Sequence, residues 1–503
     1  MAEGFRERRS NQSDHRPFGY NQGVENSIRS SPVGYVVNSH NIKWNYRFKE
    51  DINAYSALLD SLEDAFSKPV FCCGGSLRPQ NIEKFELKVK QSTSEAGEEN
   101  WREFKLSDLP LDEVLEYCNP APFGDLKAME TVLNPEVRLA YEVESERFKI
   151  EREHVFMSSS RMIADFPGKR SIKEYIEDTL TPGKNVHLDR YKLNVYSKGG
   201  FFKPHVDSPS GDDMIGTLVL CLPSPHKGGE LCVNHDGLQH VFDFSQYSGD
   251  RSRIQWAAFY SDCVHEVKPV LDGQRITVTY KITLPSLYGS LKQRRWRSLQ
   301  DSFPTDEVSL EEHFETSAES PSLTTKALAK VNSELLKISH RDKSSPPKVG
   351  FLLKHKYVSQ GLQPHLLKGE DKVLFDFLVE KQWKCKLMSI LSRYQTSAIY
   401  PYGPFEDGEL DESHEVYEFN PTPSSPSAPI GNVPKNNWQR GGRRDYRQWR
   451  VGVPFIDIYR RGEDGQQLVR NNEGGGQWIG NEVEDVGVDK IYLESAVIVE
   501  VCR

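Results

Sequence analysis

At 503 residues the chain exceeds one ordinary hydrophobic core, so two lobes or one heavily decorated domain are expected. Its 64 Lys and Arg stand against 73 Asp and Glu, a net charge of -9 with a pI near 5.9, which disfavours a general nucleic-acid binder because phosphate contacts need clustered excess cation. A mean hydropathy of -0.62, the lack of any apolar run of membrane-spanning length and the polar opening MAEGFRERRSNQSDHRPFG argue against a membrane or secreted chain, so an intracellular location, cytoplasm or nucleus, is expected.

Residues 1–42 are polar and charged with little apolar periodicity and read as a disordered tail. Residues 43–185 read as an α/β support region. Ile52, Tyr55, Leu58, Leu59, Leu62 and Phe66 recur on one helical face, and Phe85, Leu87 and Val89 alternate as in a strand, so a helix packed beside that strand is expected. NPEVRLAYEVESERF reads as a helix, with Asn134 as N-cap and Pro135 in the first turn, where its missing N–H costs nothing. SIKEYIEDTL opens on a capping box, Ser171 with Glu174. Such helices would buttress the sheet that follows. The 8 cysteines are scattered, only Cys72 and Cys73 being adjacent, and show neither a disulfide framework nor a paired zinc spacing.

Residues 186–290 carry the chemistry. Short apolar strands, Thr217 to Leu222, Glu230 to Val233 and Trp256 to Tyr260, are separated by Pro223, Ser224, Gly228 and Gly229, the pattern of an all-β barrel or jelly roll whose mouth holds a small-molecule site. In PHVD, residues two apart on an extended strand share a face, so His205 and Asp207 reach one point. His265, in CVHEV on a later strand, would complete two imidazoles and one carboxylate, a set that suits iron(II) and leaves positions open for a chelating co-substrate and dioxygen. Taken alone a His-x-Asp is a weak signal, and a surface or satisfied core histidine is the ordinary alternative; the strands around it raise its weight. Arg275, Thr277 and Thr279 alternate on one face, where a guanidinium with a hydroxyl beside it can grip a carboxylate. Gly199 and Gly200 allow a sharp turn before the His-x-Asp strand. The loop from Ser208 to Asp213 is either substrate wall and lid or a solvated hairpin. Cys232, His235 and His240 lack a partner cluster and read as surface residues.

Residues 291–347 read as a linker and a helix from about Thr324 to Ile338, and residues 348–410 as strand, loop, helix and strand of a C-terminal lobe. His355 and His365 have no carboxylate at ligand spacing beside them. Residues 411–450, rich in Pro, Ser, Asn and Gly, read as a mobile insertion; RGGRRDYRQWR within it, with Tyr446 and Trp449, has the makings of an RNA contact, though a solvated linker suits the acidic chain better. Residues 451–503 return to strands that would complete the C-terminal lobe.

The run Tyr196, Phe202, PHVD, GTLVLCL, GGEL, FYSDCVHEV and GQRITVTY resembles the catalytic domain of the iron(II)- and 2-oxoglutarate-dependent oxygenases, in their prolyl 4-hydroxylase-like branch. PAPFGDLKAMETVLNPEVRLAY, IQWAAFYSDCVHEV and QWIGNE are similar to large, mostly fungal members of that group. The resemblance implies a double-stranded β-helix (jelly-roll) core with N-terminal supporting helices; with the smaller C-terminal α+β lobe read above from its own strands and helix, the expected fold class is α+β. It implies His205, Asp207 and His265 as iron ligands, Arg275 with Thr277 on the distal carboxylate of 2-oxoglutarate, and Tyr196 lining the same pocket. Collagen-type relatives carry lysine in place of Arg275, and tyrosines common on the strand after His-x-Asp are here Leu218, Val219, Leu220 and Cys221. The expected activity is hydroxylation of a C–H bond coupled to decarboxylation of 2-oxoglutarate to succinate, with O2 as co-substrate and ascorbate as a stimulant. The acceptor would be a prolyl or other protein side chain, or a small metabolite. Two rivals stand beside it: a catalytically inactive jelly-roll scaffold, and nucleic-acid oxidation, for which Lys281 falls where base-demethylating relatives carry a second arginine.

Overall fold

The computed structural model describes residues 33–37, 52–66, 69–79, 82–90, 100–125, 130–153, 157, 171–285, 311–316, 324–339, 348–358, 360–398, 410–418, 453–457, 460–461, 467–468, 478–479 and 492–501. In chain order the principal elements are β1 (Gly34–Val37), α1 (Ile52–Ala65), β2 (Cys72–Arg78), β3 (Tyr141–Glu144), α2 (Ile172–Thr179), β4 (His187–Tyr196), β5 (Phe201–His205), β6 (Met214–Cys221), β7 (Leu231–His235), β8 (Leu238–Phe242), β9 (Ile254–Tyr260), β10 (Val264–Val267), β11 (Arg275–Thr283), α3 (Thr324–Ser339), β12 (Lys348–Leu352), α4 (Gly369–Glu380), β13 (Lys384–Ala398), β14 (Leu410–Glu418), β15 (Val453–Ile456) and β16 (Glu494–Glu500).

Strands β6, MIGTLVLC, and β9, IQWAAFY, are buried along their whole length, as strands at the centre of a covered sheet must be. They sit inside an antiparallel sheet of order 311–316, β2, β9, β6, β11, β4, β3 and 119–120. A second antiparallel sheet runs β8, β7, β10, β5 and 138–139. Two sheets joined by alternating crossovers in this way are the jelly roll expected from residues 186–290, but its outer strands come from 72–78, 138–144 and 311–316. Helix α2 starts on its capping box: the Glu174 amide donates to Ser171 Oγ at 3.2 Å and the Ser171 amide donates to the Glu174 carboxylate at 3.1 Å. It buries Ile172 and Ile176, and Tyr175 meets Trp256 of β9 edge-on, with ring centroids 5.6 Å apart.

The second lobe is a closed barrel of order β1, β14, β13, β16, β12 and β15, in which β1 runs parallel to β15. Helices α1, α3 and α4 cover it, and Leu58, Leu62, Val331, Leu335, Phe351, Leu378 and Val497 share one core. Trp383 closes this core and donates its indole N–H to Asn332 Oδ1 at 2.8 Å. Among the described residues no helix is long and apolar enough to cross a membrane.

The structure departs from the sequence reading in several places. GYVV, inside the tail expected to be disordered, is the barrel strand β1, apolar enough to be drawn in. Helix α1 packs on α3 in the second lobe, not beside Glu86–Lys90. NPEVRLAYEVE forms no helix: Asn134 Oδ1 accepts from the Glu136 amide at 2.9 Å, closing a turn, and the chain continues as strands Arg138–Leu139 and β3. Its aromatic and β-branched residues gain more from completing the two sheets than from local helix propensity. Strand β14 lies in the stretch read as a mobile insertion, paired along β13, and Glu311–Thr316 lies in the stretch read as a linker. RGGRRDYRQWR is outside the described residues.

At Gly74 in β2 the two sheets lie close together: a Cβ there would be 2.5 Å from the Phe242 ring of β8 and 2.6 Å from the Trp256 carbonyl oxygen of the neighbouring strand β9. Gly74→Val is therefore expected to force the sheets apart at a cost of about 1–3 kcal/mol, read as a fall in the thermal unfolding midpoint; an unchanged midpoint would show that the sheets do not meet there.

Candidate metal and 2-oxo acid site

The site starts from strand pairing. β5 and β10 are antiparallel neighbours, and His205 stands directly opposite His265, with ring centroids 4.2 Å apart. Asp207, just beyond β5, brings its carboxylate to 3.8 Å from His265 Nε2. One donor atom from each of these residues lies within 4.8 Å of the other two. Nδ1 of His205 is 2.8 Å from the Lys203 carbonyl and Nδ1 of His265 is 3.1 Å from the Cys263 carbonyl. A carbonyl only accepts, so each Nδ1 carries the proton and each Nε2 keeps a lone pair for a metal. The second Asp207 oxygen accepts from the Thr217 hydroxyl. Burial, and then the neighbouring His265, hold the His205 pKa well below the usual histidine range, so this ring stays neutral. Two imidazoles with one carboxylate fit a divalent iron held on one side.

Facing this group is the β11 and β4 wall. Arg275 pairs with Tyr196, Thr277 with Asn194 and Thr279 with Lys192, and all six line one cavity with His205, Asp207 and His265. A bulge between Arg190 and Lys192 lets the consecutive residues Tyr191 and Lys192 both face the cavity. Arg275 is 1% exposed, and its guanidinium lies 5.4 Å from the centroids of both the Tyr196 and Phe244 rings. Its Nε and one Nη make no hydrogen bond to any described residue. A buried guanidinium with open donors is costly on its own and is completed by a carboxylate. Gly229, at φ +74, makes room for it: a Cβ there would sit 3.0 Å from Arg275 Cδ.

All six residues picked from sequence, Tyr196, His205, Asp207, His265, Arg275 and Thr277, thus border one cavity. Arg138 was not anticipated. It is buried, donates to Asn194 Oδ1 at 2.9 Å, pairs with Glu142 at 3.3 Å and lies 4.8 Å over the Phe202 ring, which in turn stacks on His205 at 3.6 Å. It lies on the two-residue strand Arg138–Leu139, too short to show an alternation in the sequence. Cys232 and His235 are buried, not on the surface, and His235 groups with Asp262 and His355 instead of with Cys232 and His240. His355, which has no carboxylate beside it in sequence, has Asp262 in space. In the Ser208–Asp213 loop Ser208 is buried, and the Asp212 carbonyl lies so close to the second lobe that a Cβ on Gly361 would meet it at 2.8 Å.

A jelly roll that brings two histidines and an aspartate together opposite a buried arginine defines a class of metal-dependent oxygenase. Residues 191–282, the segment that carries this site, match the 2OG-Fe(II) oxygenase superfamily. Among solved structures the chain is similar to a Pseudomonas putida prolyl-4-hydroxylase (17% identity, 35% of this chain and 82% of that one, TM-score 0.23). It is also similar to a 2OG-Fe(II) oxygenase family oxidoreductase from Burkholderia pseudomallei (20% identity, 34% and 76%, TM-score 0.23). A third likeness is to a Trichoplax adhaerens prolyl hydroxylase in complex with a hypoxia inducible factor oxygen degradation domain peptide fragment (15% identity, 52% and 99%, TM-score 0.23). No curated protein matches the chain.

Thr217→Val keeps the shape of the side chain and removes the hydrogen bond that aims Asp207; it is expected to weaken Fe(II) binding by about 10–100-fold, measured by anaerobic titration. A pH effect follows from two buried histidines. Unfolded histidines protonate near 6.5, whereas His205 resists and burial lowers His226 to about 4. Below pH 6.5 the unfolded chain therefore binds more protons, and the stability of the chelator-treated protein is expected to fall as pH drops from 6.5 towards 4. Denaturant midpoints across this range check it, with His226→Asn flattening the slope.

Proposed function

We propose that the chain is a 2-oxoglutarate-dependent dioxygenase that hydroxylates a C–H bond, with His205, Asp207 and His265 holding Fe(II) and Arg275 holding the far carboxylate of 2-oxoglutarate. The observation that carries this reading is the pairing, in one cavity, of a two-histidine, one-aspartate donor group with a buried arginine whose Nε and one Nη are open. When bound, iron with 2-oxoglutarate and dioxygen supplies oxidative decarboxylation to succinate and carbon dioxide, coupled to insertion of oxygen into the acceptor C–H bond.

The chain's own residues would bind and orient. Arg275 neutralises a carboxylate away from water, with Thr277 offering a hydroxyl beside it and Tyr196 forming the wall. Thr217 fixes which Asp207 oxygen faces the metal position, and the Lys203 and Cys263 carbonyls fix both imidazole tautomers. Arg138 and Phe202 back the His205 ring, so it has little freedom to swing. A prolyl or other protein side chain is the acceptor this reading favours, on the sequence likeness to the prolyl 4-hydroxylase-like branch, and ascorbate would act as a stimulant. The intact ligand set speaks against a decayed scaffold.

Wild type mixed anaerobically with Fe(II) and 2-oxoglutarate is expected to develop a visible charge-transfer band, and to release succinate when oxygen is admitted. Both should vanish in the His205→Ala, Asp207→Ala double variant. A wild type that binds neither component and makes no succinate with iron and ascorbate supplied would remove the oxygenase reading. Arg275→Met should leave Fe(II) binding in place and raise the 2-oxoglutarate Kd by about 2–4 kcal/mol in binding free energy, the scale for breaking a buried charged pair.

A further inference from the structure

Metal position in this fold depends on how the second histidine is aimed. His265 is aimed by the Cys263 carbonyl, which accepts a hydrogen bond from its Nδ1–H at 3.1 Å. Cys263 belongs to the turn Ser261, Asp262 and Cys263 that joins β9 to β10, and all three residues are buried. On the oxygenase side the turn is held by backbone bonds, Ser261 N–H to Ile215 O and Cys263 N–H to Tyr260 O, each 3.0 Å.

From the other side the second lobe grips the same turn. Asp262 accepts from the Lys356 amide at 2.9 Å, from His355 Nδ1 at 3.1 Å and from the Lys368 ammonium at 2.8 Å. Lys368 also reaches Ser261 Oγ at 3.3 Å, and the Gly369 amide donates to the Tyr260 hydroxyl at 3.0 Å. The gripping segment is itself braced. Asp371 accepts from the amides of Lys354 and His355 at 2.7 and 2.9 Å and from the Tyr357 hydroxyl at 2.9 Å. His355 lies between His235, stacked at 4.3 Å, and Tyr260, edge-on at 4.6 Å.

We propose that Asp262 is a positioning residue through which the second lobe sets the His265 imidazole, making the lobe part of the metal site's construction although it supplies no ligand. The inference rests on the reading of His265 as an iron ligand. The path is short: Lys368 and His355 fix the Asp262 carboxylate, Asp262 fixes the turn, the turn fixes the Cys263 carbonyl, and that carbonyl fixes the ring. His235, Asp262 and His355 also lie close enough to suggest a second metal. The Lys368 ammonium on Asp262 already supplies the positive charge there, and a metal ion would have to sit against it. The group is a charged clasp.

The test uses the full chain. Fe(II) affinity and the ligand-field absorption of the cobalt(II)-loaded protein are compared for wild type, Asp262→Asn and Trp383→Phe, a core change in the second lobe whose indole bonds Asn332 of α3, alongside thermal unfolding. Asp262→Asn is expected to weaken Fe(II) binding by about 10–100-fold and to alter the cobalt spectrum. Trp383→Phe should lower the unfolding midpoint and leave both metal readouts unchanged. If Asp262→Asn does not fold, Lys368→Gln, which keeps a donor in place, is read for a smaller change in the same direction. An Asp262→Asn or Lys368→Gln protein that is less stable yet keeps the wild-type affinity and spectrum overturns the proposal. So does a second tightly held cobalt per chain that His355→Ala removes. A wild type that binds no iron sinks the underlying reading, and is told apart by failing before any variant is made.

Discussion

Everything at this site hangs on one cross-strand register, His205 opposite His265. Residues directly opposed on antiparallel strands bring their Cβ atoms to about 4.5–5.5 Å, so the backbone has already converged the two imidazoles before any metal arrives. A slip of one residue would send one of them to the other face of the sheet. The apolar lengths of β6 and β9, the close approach at Gly74 and the capping of α2 all guard that register, because each fixes a sheet or its cover in one place.

The second dependence is on buried charge. Arg138, Lys192 and Glu142 form one cluster beside the cavity, and Asp262, Lys368 and His355 form another at the lobe junction. Burial alone would push the Asp262 carboxyl up, yet the Lys368 and His355 neighbours hold it well below the usual range. Such clusters add little net stability compared with apolar packing, but losing one member strands the others in a dry interior. They act as registers, fixing which segments meet.

How much of this was legible in the sequence follows physical lines. The convergence of His205, Asp207, His265 and Arg275 on one cavity was readable because period-two alternation is local, and a His-x-Asp pair two residues apart needs no knowledge of the rest of the fold. The capping box at Ser171 was readable for the same reason. Arg138 was missed because local signals in NPEVRLAYEVE favour a helix start and only the waiting sheet edges overrule them. Helix α1 was readable as a helix and not as part of the second lobe, since an apolar stripe does not name what it will face. Asp262, Lys368 and His355 lie far apart along the chain, and their meeting is a property of topology that no spacing rule encodes.

The barrel of the second lobe has β1 wedged between β14 and β15, so its first and last pieces bracket the whole oxygenase segment. On a ribosome the jelly roll emerges complete while β1 has no partner yet. Loop-closure entropy grows only slowly with length, so holding this strand in reserve is thermodynamically cheap; its cost is kinetic, an apolar edge left waiting through most of synthesis. The order of assembly is thereby imposed: jelly roll first, closure of the second barrel last, when β14 and β15 reach the waiting β1.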